Sequence, residues 1–273
     1  FAELIGVKYA IGVNSGTDAI KLSLKSLDIG PGDEIITAAN TFVATIGAIC
    51  ELGAIPIFVD CDDTFCMNVN LIEEKITEKT KALLPVHFTG YMADMRKINQ
   101  LSEKYNIPVI EDACQSILGA IDGKNAGTWG RAGAFSLHPL KNINVWSDGG
   151  VIVTNDNDLA DKLRLMRNHG LEDRDTVTLM GYNSRLDTIQ AVVGNWILPK
   201  AETRQQAHDC LHVLSGRRHR VFGGIVLQLP DGCRRHRIVQ SYVRFRQLSE
   251  REVVKYIEMG EWQGKAGGYA IQG

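Results

Sequence analysis

This sequence of 273 residues lacks the features that would place it in a membrane or in an oxidising compartment. No run of about 18 apolar residues occurs, so no membrane-spanning helix is expected. The chain begins at Phe1 without an initiator methionine, a basic segment or a cleavage site, which predicts a truncated start rather than a targeting signal. CxxC pairs are also missing, so free thiols in a reducing cytoplasm are expected at six scattered cysteines: Cys50, Cys61, Cys66, Cys114, Cys210 and Cys233.

The net charge is small, −2, which argues against nucleic acid as the main partner of the whole chain. Apolar residues make up 44% of the sequence, enough for a substantial core. The charge is nevertheless divided unevenly: residues 206–273 carry a net +5, and residues 1–205 a net −7. The Arg:Lys ratio changes from 7:12 to 9:2 across the same point. These shifts predict a domain boundary near residue 205.

Short apolar runs alternate with helical patterns through the first part of the chain. Six runs are predicted to be strands: Glu34–Thr37, Pro56–Asp60, Ala82–Val86, Pro108–Glu111, Ala134–Leu137 and Val151–Thr154. Helices are predicted between them, from about Thr17 and over 41–50, 70–77, 94–105 and 156–167, and another from Asn183 to about 200. This alternation predicts an α/β fold with a mostly parallel sheet covered by helices on both faces.

The last part of the chain has a different pattern. Val221–Leu229 and Ile238–Phe245 are predicted to be two strands around the turn Pro230–Gly232. A helix is predicted to follow over Ser249–Met259, with Ser249 and Glu252 forming a capping box.

Polar residues follow the predicted strands at the edge where a parallel sheet binds its ligands. Asn14–Thr17 precedes a helix, whose unpaired N–H groups suit a phosphate, although an ordinary Ser/Thr cap is the commoner explanation of this stretch taken alone. Pro108–Asp112 ends in two carboxylates, which would pair with a protonated ring nitrogen or form a cap or salt bridge. Gln115 would contact the same ligand or face solvent.

Ser136 and Lys141 complete this set. A lysine amine forms a Schiff base with a carbonyl when desolvation or a nearby charge makes it nucleophilic. A phosphate seat, an acid for a ring nitrogen and a Schiff-base lysine are together what pyridoxal 5'-phosphate requires. The combination is much more specific than any one of these features alone.

Residues 1–205 resemble the DegT/DnrJ family of sugar aminotransferases, a branch of the fold-type-I pyridoxal phosphate enzymes. The resemblance rests on motifs that occur in the family's order: VNSGTDAI, GPGDEIITAANTFVAT, GAIPIFVD, LPVHFTGYMADM, VIEDACQS, FSLHPLKN, DGGVIVTN, MRNHG and GYNSRLD. It implies that 1–205 is an incomplete large domain of this fold.

The resemblance also implies a role for each matching residue. The phosphate would be held by Gly16, Thr17 and Ser136. The cofactor ring would stack on Phe42, pair its nitrogen with Asp112 and bond its 3'-oxygen to Gln115. Lys141 would form the internal aldimine and then carry a proton between the cofactor carbon and the substrate carbon. Asn183 would reach the phosphate of a neighbouring subunit, which makes a homodimer the expected assembly.

Such enzymes move an amino group, often from glutamate, onto a nucleotide-linked keto sugar. Dehydratase relatives carry histidine in place of the lysine, so Lys141 favours an aminotransferase. Arg131 and the stretch Asn144–Ser147 depart from the family pattern, without affecting the predicted cofactor residues.

Residues 206–273 resemble instead the C-terminal part of Maf nucleoside triphosphate pyrophosphatases, which implies a small, incomplete α+β fragment. The matching stretches are LHVLSGRRHRVFGG, VRFRQLSEREVVKYIEMGEW and GKAGGYAIQG, and Lys265 and Gln272 fall in a segment that lines that family's nucleotide site. The first half of the Maf pattern, with its catalytic aspartate, is absent. Two alternatives to the aminotransferase therefore stay open: a nucleotide pyrophosphatase, and a non-catalytic chimera that binds the cofactor weakly or not at all.

Remaining histidines and cysteines give weaker signals. His208 and His212 have the spacing of two metal ligands on a helix face, but no third ligand accompanies them, so no metal is expected. His87 and His138 are predicted to flank the cofactor site. Cys61 and Cys66 are predicted to be free thiols.

Overall fold

A computed structural model describes residues 1–198, 216, 218–228, 234–244 and 246–258. The chain forms two compact units, Phe1–Leu198 and Pro199–Gly273. The boundary predicted near residue 205 lies outside the described residues and stays a prediction.

The first unit is built around one sheet. Its strands are β1 (Tyr9–Val13), β2 (Glu34–Ala38), β3 (Ile55–Val59), β4 (Thr80–Leu84), β5 (Ile110–Asp112), β8 (Ala132–Ser136) and β9 (Gly150–Thr154), with β6 (Ala120–Ile121) and β7 (Lys124–Asn125) forming a separate two-stranded ribbon. Strands β3-β2-β4 and β5-β8-β9-β1 are hydrogen-bonded in that order, and parallel bridges Leu83–Val109 and Val86–Asp112 join β4 to β5.

Strand direction agrees with the prediction of a mostly parallel sheet. The pairings of β2 with β3 and β4, and of β5 with β8, are parallel, whereas β9 runs antiparallel to both β8 and β1. All five residues of β9 are buried, as expected for a strand covered on both faces.

Helices cover both faces of the sheet. They are α1 (Ala2–Ile5), α2 (Gly16–Lys25), α3 (Val43–Cys50), α4 (Met95–Tyr105), α5 (Asn157–Met166) and α6 (Thr188–Ile197). Alternate strand residues enter two separate cores: Val151 and Val153 pack with residues of α4 and α6, whereas Ile152 packs with residues of α2, α3 and α5. Because successive side chains of a strand point to opposite faces, these cores lie on the two sides of the sheet.

Three parts of this unit differ from the sequence-based expectation. Strand β1 was not predicted, although it pairs with β9 along its whole length. The helix predicted over 70–77 is instead two short 3-10 turns, Val69–Leu71 and Glu73–Lys75. The Asn68 side chain caps the first turn, and the backbone becomes extended at Ile76, which ends the helical stretch before 77. The helix predicted from Asn183 begins only at Thr188, because the residues before it are tied to other parts of the fold.

The second unit contains the predicted strand pair. Strands β10 (Arg218–Gln228) and β11 (Arg234–Arg244) pair antiparallel, and helix α7 (Glu250–Glu258) follows them. One half of the predicted capping box is present: the Glu252 carboxylate accepts from the Ser249 N–H at 2.9 Å. The Arg246 guanidinium and this N–H lower the pKa of Glu252 to about 2. The turn at Pro230–Gly232 lies outside the described residues.

No helix among the described residues is long and apolar enough to cross a bilayer.

A buried carboxylate fixes β5 to its surroundings. Glu111 is fully buried and accepts four hydrogen bonds. Its Oε1 accepts from the N–H groups of Trp129 (2.6 Å) and Gly130 (2.7 Å), and its Oε2 from the Gly127 N–H (2.8 Å) and His87 Nε2 (2.9 Å). His87 Nδ1 accepts from the Ala93 N–H, so Nε2 carries the proton given to Glu111. These bonds join β5 to the loop before β8.

Replacing Glu111 with alanine is expected to lower the free energy of unfolding by about 3 kcal/mol or more, because four buried donors lose their acceptor. Urea denaturation of both proteins measures the difference. Glu103→Ala on the exposed face of α4 is the matched control and should change stability by less than about 0.5 kcal/mol. Equal, small effects for both variants would contradict a stabilising role for Glu111.

Candidate active site

The carboxyl ends of β5 and β8 meet the beginning of α2. Strand β5 ends at Asp112, β8 ends at Ser136 and α2 begins at Gly16. A Cβ atom on Gly16 would lie 2.6 Å from Ser136 Cβ, so only glycine allows the helix to start this close to the strand. The three elements enclose one side of a cavity.

The start of α2 is suited to hold an anion. Ser15 is the N-cap in an extended conformation, and its Oγ accepts from the Asp18 N–H at 3.1 Å. The other N–H groups of the first turn have no partner within the helix and carry its partial positive charge. Thr17 and Ser136 place hydroxyl groups on the same cavity wall. This end of the cavity therefore has the donors that a phosphate group needs.

Asp112 is a buried carboxylate that lines the cavity. Its side chain is 5% exposed, and its two oxygens are both hydrogen-bonded. Oδ2 accepts from Thr45 Oγ1 at 2.7 Å, and Oδ1 accepts from the Cys114 N–H at 3.1 Å. Such donors stabilise a carboxylate anion and fix its orientation. A cationic ring nitrogen is the group that this carboxylate can pair with.

Lys141 lies on a tight turn that follows β8. Its backbone N–H donates to the His138 carbonyl at 2.8 Å, and the Leu140 N–H donates to His138 Nδ1 at 3.1 Å. Lys141 and His138 of this turn line the cavity, as does Asp148 further along the chain. Lys141 therefore shares one cavity with Asp112 and the start of α2.

Gln115 has a defined amide orientation. Its Oε1 accepts from the Thr89 N–H at 3.3 Å, and Thr89 has the left-handed φ of 51°. Because this oxygen is engaged, the NH₂ group is left to donate to a ligand oxygen. Gln115 lines the cavity, as does Phe42, whose ring is 63% exposed at the start of α3.

Of the predicted cofactor-binding residues, Asn183 alone lies outside this cavity. It is exposed, and its neighbours are held firmly: Ser184 Oγ donates to Asp18 Oδ2 at 2.6 Å, and the Ser184 N–H donates to the Arg167 carbonyl. The predicted contact was with a neighbouring subunit, so this role stays a prediction.

The prediction that His87 flanks the site is wrong for its side chain. His87 is fully buried with Glu111 in the core on the other face of the sheet, because Glu111 and Asp112 alternate along β5. His138 does line the cavity. The candidate metal ligands His208 and His212 lie outside the described residues.

Sequence reasoning missed three polar residues that line the cavity, namely Thr45, Cys114 and Asp148. Cys114 is adjacent to the predicted Gln115, and that adjacency was the available signal for it. Burial raises the pKa of the Cys114 thiol well above its usual value, with Asp112 adding to the rise and Lys141 opposing it. Cys114 is therefore a neutral thiol and does not compete with Lys141 as a nucleophile.

The residues that depart from the family pattern, Arg131 and Asn144–Ser147, lie outside this cavity. Arg131 is on the surface, where its Nε donates to Asp156 Oδ2 at 3.1 Å. Within 144–147, Val145 is fully buried and Trp146 is 72% exposed with a φ of 68°. Neither Arg131 nor this stretch lines the cavity.

A lysine, a buried aspartate and a helix N-terminus that line one cavity at the carboxyl ends of parallel strands are typical of pyridoxal-phosphate-dependent transferases. The chain belongs to the DegT/DnrJ/EryC1/StrS aminotransferase family, whose model matches residues 1–259. The family match passes the predicted boundary near 205, so it includes part of the segment for which a Maf-like resemblance was predicted. That resemblance stays a prediction.

Two curated relatives illustrate the similarity. The chain is 40% identical over 274 residues to a UDP-N-acetyl-3-dehydro-alpha-D-glucosamine 3-aminotransferase of Acidithiobacillus ferrooxidans, covering 100% of this chain and 73% of the relative. It is 42% identical over 202 residues to a UDP-2-acetamido-2-deoxy-3-oxo-D-glucuronate aminotransferase of Pseudomonas aeruginosa, covering 74% of this chain and 55% of that protein. Against several other curated relatives, the chain spans about half of their length.

Solved structures agree with this family assignment. NtdA of Bacillus subtilis, solved with the bound cofactor PMP, has a TM-score of 0.67 and 39% identity, and the match covers 71% of this chain and 44% of that protein. The fold-type-I expectation for the first unit is thereby confirmed.

Gly16→Ala is expected to weaken binding of pyridoxal phosphate by about tenfold, because the new methyl group displaces the start of α2 from Ser136 at a cost of about 1–3 kcal/mol. Titration of the cofactor-free protein, followed by tryptophan fluorescence, measures this. Gly30→Ala, which meets no atom within 4 Å, is the control and should bind as the unchanged protein does. Unaltered binding by Gly16→Ala would show that the close approach is not needed.

Proposed function

We propose that this chain is a pyridoxal-phosphate-dependent aminotransferase that moves an amino group, from glutamate, onto a nucleotide-linked keto sugar, using Lys141 as the reacting amine. The observation that carries the proposal is that Lys141, the buried Asp112 and the start of α2 line one cavity. Membership of the aminotransferase family supports the same reaction class.

In this proposal, the residues that line the cavity would supply a partner to each part of the cofactor. The first turn of α2 and Ser136 would hold the phosphate, and Asp112 would pair with the protonated ring nitrogen. The amide NH₂ of Gln115 would donate to the ring's phenolic oxygen, and Phe42 would lie against the face of the ring. Lys141 would hold the cofactor covalently through its Nζ atom.

When bound, pyridoxal phosphate supplies the electron sink that makes cleavage of a C–H bond next to nitrogen possible. Lys141 Nζ would take the proton from the substrate carbon and return it to the cofactor carbon, since its turn places the amine on the cavity wall. Asp112 would keep the ring nitrogen protonated, which favours the electron withdrawal. The neutral thiol of Cys114 leaves this proton transfer to the lysine.

The substrate class comes from the relatives. Names of the similar curated proteins specify transaminases of UDP- and dTDP-linked sugars, which makes a nucleotide-linked keto sugar the proposed acceptor. Glutamate as donor is what the family resemblance implies. A cytoplasmic location is proposed because the described cysteines, Cys50, Cys61, Cys66 and Cys114, are free thiols.

Borohydride trapping is the direct test of the cofactor site. Incubation with pyridoxal phosphate, reduction, digestion and mass spectrometry are expected to place one label per chain on Lys141. Lys141→Met should lose the label, whereas Lys25→Met, at the far end of α2, should keep it. Turnover with glutamate and a nucleotide keto sugar would then establish the reaction. Labels scattered over surface lysines would instead favour the non-catalytic alternative, and release of pyrophosphate from nucleoside triphosphates would favour the pyrophosphatase.

Asn183→Ala is expected to weaken pyridoxal phosphate binding by about tenfold. Asn183 lies outside the cavity of its own subunit. The variant would instead lose a hydrogen bond to the cofactor phosphate bound in the neighbouring subunit. Cofactor titration together with sedimentation analysis measures affinity and assembly. Asn70→Ala, another exposed position, serves as the control. A monomeric protein, or equal affinities for both variants, would remove the support for a shared site.

A further inference from the structure

Two threonine hydroxyls form a chain of hydrogen bonds that ends on the Asp112 carboxylate. Thr45, in the first turn of α3, places Oγ1 2.7 Å from Asp112 Oδ2. Thr41 places its Oγ1 2.7 Å from the same Thr45 hydroxyl. Thr45 is 1% exposed and Asp112 is 5% exposed, so water does not substitute for these bonds.

The direction of this chain follows from the donor inventory. An ionised carboxylate only accepts, so Thr45 must donate its single proton to Asp112. The Thr45 oxygen is then free to accept, and the Thr41 hydroxyl donates to it. Each bond of such a chain polarises the next, which strengthens the final bond to the carboxylate.

The Thr45 hydroxyl does not bond within its own helix. Helix α3 begins at Val43, so position 41, four residues before Thr45, precedes the helix and offers no intrahelical acceptor. Thr45 donates instead to a carboxylate 67 positions away that lines the cavity. By contrast, the buried Thr37 on β2 donates to the Leu84 carbonyl at 2.8 Å, a bond that only links two strands.

We propose that Thr45, supported by Thr41, is a positioning residue, an inference that rests on the proposed function. Thr45 orients the Asp112 carboxylate and stabilises its negative charge, so that the carboxylate can pair with the cofactor's ring nitrogen. The Cys114 N–H fixes the other oxygen. The carboxylate is therefore held at both oxygens and cannot rotate away from the nitrogen. Thr45 acts through Asp112, so its effect depends on the presence of that nitrogen.

The experiment compares two ligands with the cofactor-free full-length chain. One ligand is pyridoxal phosphate, and the other is its analogue in which a C–H group replaces the ring nitrogen. Thr45→Val removes the hydroxyl while keeping the side-chain shape, and is expected to weaken pyridoxal phosphate binding by about tenfold and the analogue by less than about twofold. Thr45→Ser keeps the hydroxyl and should bind both ligands as the unchanged protein does.

Two further variants complete the comparison. Thr37→Val is the matched control, because it removes a buried hydroxyl that bonds the Leu84 carbonyl and does not line the cavity, and it should leave the ratio of the two affinities unchanged. Thr41→Val, at a half-buried position, is expected to weaken pyridoxal phosphate binding relative to the analogue by about twofold to threefold. It tests the hydrogen bonds from Thr41 through Thr45 to Asp112 if Thr45→Val does not fold.

The possible outcomes distinguish a failure of the inference about Thr45 from a failure of the proposed cofactor. Equal weakening of both ligands by Thr45→Val would mean a purely structural role and would overturn the inference. Unchanged affinities for both ligands would overturn it as well. If the unchanged protein binds neither ligand, the proposed cofactor itself is wrong.

Discussion

The site depends on the alternation of side chains along the short strand β5. Glu111 and Asp112 are adjacent, so their carboxylates point to opposite faces of the sheet. Glu111 is bonded entirely by groups of the fold, whereas Asp112 keeps one side open to the cavity. A change of one residue in the register of β5 would exchange these two environments. The parallel bridges to β4 and the pairing with β8 fix that register on both sides.

The two carboxylates show how a fold can bury negative charge for different purposes. Glu111 uses backbone N–H groups of the loop at 127–130 and the His87 ring, so all four of its bonds are made within the fold. Asp112 has only Thr45 and the Cys114 N–H, which leaves lone pairs available for a ligand. The first arrangement fixes β5 to the loop before β8, and the second leaves the Asp112 carboxylate open to the cavity.

The sequence predicted the elements whose pattern is local. Strands β2 to β4 and helices α2, α4 and α5 follow directly from apolar spacing and side-chain caps such as Ser15 and Asp94. The predicted site residues, apart from Asn183, also line one cavity, since parallel strand ends meet at one edge. Long-range pairings could not be predicted: the partners of His87 and Thr45 are 24 and 67 positions away. The late start of α6 has the same origin, because a contact with Asp18 overrides the helical pattern after Asn183.

The turn that carries Lys141 has a consequence for how such a protein diversifies. Lys141 lies beyond the last residue of β8, and its turn is closed by backbone atoms and the His138 ring rather than by the lysine side chain. Exchange of the lysine would therefore change the chemistry at little cost to the packing of the sheet. In a fold of this kind, substitution of the lysine can change the reaction while the buried carboxylates and the start of α2 keep their positions.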